Sequence, residues 1–79
     1  MSISVGTVVK AKAGRDKEGF FVVVRTEEGF VYIADGKRRR VENPKKKNPI
    51  HLSVTNTVLS DSMDTNRKIR AALRTFRDN

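Results

Sequence analysis

The residues of this chain best suited to chemistry are cations, and they are spaced unevenly. Between Gly36 and Asn48 the sequence reads GKRRRVENPKKKN, so Lys37, Arg38, Arg39, Arg40, Lys45, Lys46 and Lys47, seven of the seventeen basic residues, face one carboxylate, Glu42. Residues 1–35 hold five basic and five acidic groups, and residues 50–79 hold five against three, so +6 of the formal charge of +8 lies at positions 36–49. Cations this crowded repel one another unless a polyanion arrives, and nucleic-acid phosphates offer negative charges a few ångströms apart. Lysines meet phosphates as point charges, whereas arginines can also fork onto them or stack on bases. A nucleic acid is therefore the expected partner. The plainer uses of the same residues are a solvated loop kept basic for solubility and a two-block nuclear import signal.

Other chemistries find no residues to carry them. No nucleophile has a base at hand, no carboxylate pair sits in an apolar context, and no glycine motif cradles a phosphate. There is no cysteine, and His51 is the only histidine, which leaves no metal-ligand spacing. The expectation is a protein that is not an enzyme, with no cofactor, no metal and no small-molecule substrate. The longest apolar runs, such as Phe20 to Val24, are far shorter than the roughly 20 residues that span a bilayer, and the N-terminus MSISVGTVVKAK lacks a signal peptide's apolar block. A soluble, cytoplasmic protein without a membrane partner is expected.

The elements that must position these cations are legible as hydrophobic periods. At 79 residues the chain makes one small domain with a thin core and no disulfide to staple it. Thr7, Val9, Ala11 and Ala13 alternate with Val8, Lys10 and Lys12, the period of two of a half-buried strand. Phe20 to Val24 is an unbroken valine-rich run. It reads as a central strand covered on both faces. After a turn at Thr26 to Gly29, Phe30 to Ala34 forms a third strand. Asp35-Gly36 suits a tight hairpin, so Lys37 to Val41 is expected to return as a fourth strand, with Arg38 and Arg40 on one face and Arg39 on the other. Prolines at 44 and 49 cannot donate to a ladder. Residues 44–49 are therefore read as a partly stiffened loop that carries Lys45, Lys46 and Lys47. Ile50, Leu52 and Val54 resume the alternation as a fifth strand, with His51 pointing away from the core. Thr55 to Met63 shows no period and reads as a connection. Ile69, Ala72, Leu73 and Phe76 then recur at i, i+3, i+4 and i+7 on one face of a helix capped by Asp64 or Thr65, with arginines along its other faces. That apolar face is needed to cover the sheet, which argues against the helix lying on a membrane. The fold class is mainly β: an SH3-like barrel of five short strands over residues 1–58, with a connecting segment and C-terminal helix over 59–79.

GTVVKAKAGRDKEGFFVVV, residues 6–24, resembles the KOW motif, a strand, a Gly- and Lys-bearing turn and a second strand within an SH3-like barrel. In order, GTVV, AGRDK, FVVV, ADGK and NPKKKNPIHL look like a family of small bacterial KOW-domain RNA-binding proteins. That family is similar to large-subunit ribosomal proteins of archaea and eukaryotes, of the fourteen-e type. The likeness covers about residues 5–54, and TNRKIRAAL looks like the family's closing helix. One departure is plain: the family commonly places glycine directly after the turn lysine, whereas here Glu18 follows Lys17 and glycine comes at Gly19. The resemblance implies ribosomal RNA of the large subunit as ligand, hence the ribosome as setting, and adds Arg15 and Lys17 at the hairpin turn to the RNA-binding set. The protein is expected to act as a monomer, since basic side chains along edge strands oppose pairing between copies. An adaptor that binds proteins through the barrel surface, in transcription or translation, is the alternative. Aromatics on a sheet can also stack bases. Of Phe20, Phe21, Phe30 and Tyr32 most are expected in the core, and Tyr32 is the likeliest to face a base because its hydroxyl tolerates water.

Overall fold

A computed structural model describes residues 3–12, 19–60 and 63–77 of the chain. Five strands form one antiparallel sheet: β1 (Thr7–Ala11), β2 (Phe20–Glu27), β3 (Phe30–Ala34), β4 (Lys45–Lys47) and β5 (Leu52–Val58), in the spatial order β4-β3-β2-β1-β5. One helix, α1 (Asn66–Arg77), follows them. Among the described residues no helix is long and apolar enough to cross a membrane.

The apolar run predicted to lie at the centre does so, and both of its faces are covered. Phe21 and Val23 pack with Val9, Ala11, Val31, Ile33 and Leu52. Val22 packs on the opposite side with Val8, Ala34 and the helix residues Ile69 and Leu73. The helical period therefore reads correctly: Ile69 and Leu73 are fully buried, and burying two such side chains stabilises the fold by about 3–6 kcal/mol. Thr65 caps the helix by accepting the amide of Lys68 at 3.2 Å.

Among the described residues no helix lies over the first of these faces; the sheet covers it by curling. Lys47 on one edge strand connects to Leu52 on the other through Asn48 and the 3-10 turn Pro49–His51, and such a turn rises only about 2 Å per residue. In a flat sheet, edges four strand spacings apart would be separated by about 19 Å. The connection is too short for that, so the edges must approach. Register irregularities between Thr7 and Val9 and between Val23 and Arg25 supply local bends. β4 and β5 do not pair with each other, so the barrel expected from sequence is an open, curled sheet.

Three sequence expectations change. Lys37 to Val41 is not a strand. The Asp35 carboxylate accepts the amides of Lys37 at 2.8 Å and Arg39 at 2.9 Å, the amides of Asp35 and Gly36 both donate to the Arg39 carbonyl, and a second turn closes from Asn43 to Arg40. Those amides would otherwise serve a ladder, so the Asp side chain diverts the segment into two successive turns. Conversely, the lysines are not on a loop: Lys45–Lys47 is β4, paired to β3. Prolines just outside a three-residue strand remove no ladder bond within it, and lysine suits an exposed edge. Finally, β5 continues through Thr55 to Val58, where the sequence shows no period because this edge is mostly exposed; Ile50 is 71% exposed and outside the strand, and Leu52 alone of Ile50, Leu52 and Val54 is buried. His51 is exposed, as expected.

Candidate nucleic-acid interface

The basic segment leaves β3, makes its two turns and comes back as β4, so its cations follow one sheet edge and the end of that edge. Helix α1 holds the turn segment in place. Asn66 accepts the Val41 amide at 2.8 Å through Oδ1, Arg70 donates from Nη1 to the Gly36 carbonyl at 2.8 Å, and Asn66 Nδ2 donates to Glu42 Oε1. Gly36 sits at φ +81°, where a Cβ would lie 2.5 Å from the Asn66 carbonyl oxygen. Only glycine permits so close an approach of loop to helix. Asn66 and Arg70 thus organise the site although sequence patterning assigns them no role. Arg70 reads there as one more cation on a polar helix face.

The cations differ in what already holds them. Glu42 pairs with Arg40, Oε2 to Nε at 3.0 Å. The Arg40 guanidinium, with the Asn66 amide after it, holds the Glu42 carboxyl below the usual glutamate range. Arg40 is thereby removed from the set expected to be unneutralised. Arg39 is half-buried in the turn. Lys37, Arg38, Lys45, Lys46 and Lys47 form no ion pair with a carboxylate among the described residues.

Strand geometry divides the lysines. Lys45 lies opposite Ile33 and Lys47 opposite Val31, on the core side of the edge, while Lys46 lies opposite Tyr32 on the outer side. Lys45 and Lys47 are half-buried and Lys46 is exposed, and a lysine can bury its stem while its ammonium stays in water. The expected pairing of Arg38 and Arg40 on one strand face does not arise, because they stand on turns. Arg15 and Lys17 lie outside the described residues. Lys10 pairs with Phe20, Val22 with Ala34 and Ile33 with Lys45, so Lys12 and Gly19 stand at the same end of the sheet as the basic turns.

On the outer side, Arg25 pairs with Tyr32, and Tyr32 with Lys46, forming a row across β2, β3 and β4. The Arg25 guanidinium carbon lies 4.0 Å from the Tyr32 ring centre, and Lys46 Nζ lies 4.5 Å from that of Phe30. Phe21 is in the core, and Phe20 packs against Phe76 with ring centres 5.4 Å apart. Arg25 escaped the sequence reading because β2 runs on to Glu27, past the end of its apolar run. The strand extension left no hydrophobic signal to follow. No family model and no curated protein matches the chain.

Proposed function

We propose that this is a non-catalytic RNA-binding protein of the KOW kind, acting on ribosomal RNA of the large subunit as a ribosomal component or companion, in the cytoplasm. The observation that carries this reading is the set of five cations without carboxylate partners among the described residues: Lys37 and Arg38 on turns that the helix pins, and Lys45, Lys46 and Lys47 on the β4 edge. The likeness to KOW-domain proteins supports RNA over other polyanions. In this mechanism the lysines of β4 and Arg38 neutralise backbone phosphates and release counterions, and Arg15 and Lys17, which the KOW resemblance adds to the binding set, supply orientation.

Binding of a fluorescent RNA by the full chain, followed by anisotropy over a salt series, tests it. Neutralising about five phosphates gives a slope of log affinity against log salt of roughly −3.5 to −4.5. Replacing Lys45, Lys46 and Lys47 together by glutamine flattens that slope by about two units or more. An unchanged slope removes β4 from the mechanism.

The adaptor reading keeps one observation in its favour. A largely apolar groove of about 540 Å³ has Val5, Val24, Val41, Leu59 and Met63 in its lining. A purified sample whose excess absorbance at 260 nm is stripped by high salt supports RNA. A sample free of nucleic acid that retains a protein supports the adaptor.

A further inference from the structure

We propose that the outer face of β2, β3 and β4 is a stacking site for unpaired bases, built from Arg25, Tyr32, Phe30 and Lys46; this rests on the RNA-binding reading and narrows its ligand to single-stranded segments. The Arg25 guanidinium lies on the Tyr32 ring, yet its side chain is 58% exposed. The guanidinium is thus held beside the ring while solvent still reaches it, and guanidinium planes accept bases as aromatic rings do. Phe30 is 39% exposed, a large apolar surface for an outward residue, with the Lys46 ammonium above its ring. An ammonium so placed can move aside to a phosphate while a base takes the ring face.

Spacing selects the strandedness. Phe30 and Tyr32 are two residues apart on β3, about 6.8 Å along the strand. Bases stacked within a helix rise about 3.4 Å per nucleotide on each strand. Two neighbouring bases can therefore reach the two platforms only when splayed apart, which a duplex forbids. Charge sets the direction in which the strand lies. Glu27 shares the Arg25 side of the face and pairs with it at 3.2 Å, repelling phosphates there, whereas Lys46 and its neighbours attract them at the β4 edge. Bases thus point toward β2 with their backbone along β4.

Tyr32 is the single tyrosine and there is no tryptophan, so its emission reports directly on a base arriving at this face. The experiment titrates the full chain with a uridine 12-mer and with a 12-base-pair RNA duplex, reading tyrosine emission and, with labelled RNA, anisotropy. The expected result is quenching by the single strand and not by the duplex. Phe30→Ala lowers single-strand affinity by roughly 5- to 150-fold. Arg25→Lys, which keeps the charge and loses the plane, lowers it at least about fivefold and leaves duplex affinity and the salt slope unchanged. Thermal melts of both variants confirm that they fold. If the triple lysine variant flattens the salt slope but R25K and F30A bind the 12-mer like the parent without tyrosine quenching, the stacking site is overturned and the RNA reading stands. If neither RNA binds, both fall.

Discussion

Replacing Gly36 by alanine tests whether the basic turns are held against the helix. Two glycines share nearly the same backbone conformation, Gly29 at φ +80° and Gly36 at φ +81°, but a Cβ at Gly29 meets nothing within 4 Å, whereas at Gly36 it meets the Asn66 carbonyl oxygen at 2.5 Å and Arg70 Cγ at 2.9 Å. The shared cost of a left-handed alanine is about 1–2 kcal/mol. Restricting the unfolded chain offsets about 0.4–1 kcal/mol of that. Gly29→Ala should therefore destabilise by about 0.5–1 kcal/mol. Gly36→Ala carries the same net cost and also forces the loop off the first turn of α1. The Arg70 to Gly36 and Val41 to Asn66 hydrogen bonds are then lost, each worth about 1 kcal/mol net. The expected total is about 3 kcal/mol. For a domain of this size each kcal/mol lowers Tm by about 4–8 °C, so circular-dichroism melts should show a fall of about 12–24 °C for G36A and about 2–8 °C for G29A. Equal falls would refute the contact between loop and helix.

The pairing of Arg40 predicts unequal arginines: Arg38→Gln should reduce the salt slope of RNA binding by about 0.7–0.9, while Arg40→Gln, whose charge Glu42 already meets, should reduce it less. Because Arg40 and Asn66 depress the Glu42 pKa in the fold, their contribution to stability is complete above the ordinary glutamate pKa and is lost as pH falls through the lowered value. A carboxyl NMR titration should accordingly show the Glu42 midpoint rising in Arg40→Gln and in Asn66→Ala; no movement in either would sink the assignment. Leu73→Ala leaves a cavity between helix and sheet and should cost about 2–5 kcal/mol in urea unfolding, against less than about 0.5 kcal/mol for the exposed neighbour Arg74→Ala.

Much of the architecture follows from local chemistry. The unbroken run at Phe20 to Val24 demands cover on both sides, and the spacing of Ile69, Leu73 and Phe76 supplies a helix to give one of them. Charge crowding at positions 37–47 is likewise a property of the sequence, since the segment holds one carboxylate against seven cations. Where the sequence reading strayed, two local rules competed. Asp35-Gly36 can begin a hairpin or let its carboxylate capture amides, and prolines can bound a loop or flank a short strand. Contacts distant in sequence decided: Asn66 and Arg70 fasten the turns, and β3 offers β4 a ladder. The row of Arg25, Tyr32 and Lys46 depends on register across three strands. A linear pattern can say that a residue points outward from its own strand, but not which side chains from other strands will stand beside it. Sequence alone therefore determined that this chain carries an unbalanced block of positive charge on a small β-rich body. Only the tertiary structure decided which of those charges stay exposed and which aromatic rings they cover, because pairing energies belong to distances between segments and not to the segments themselves.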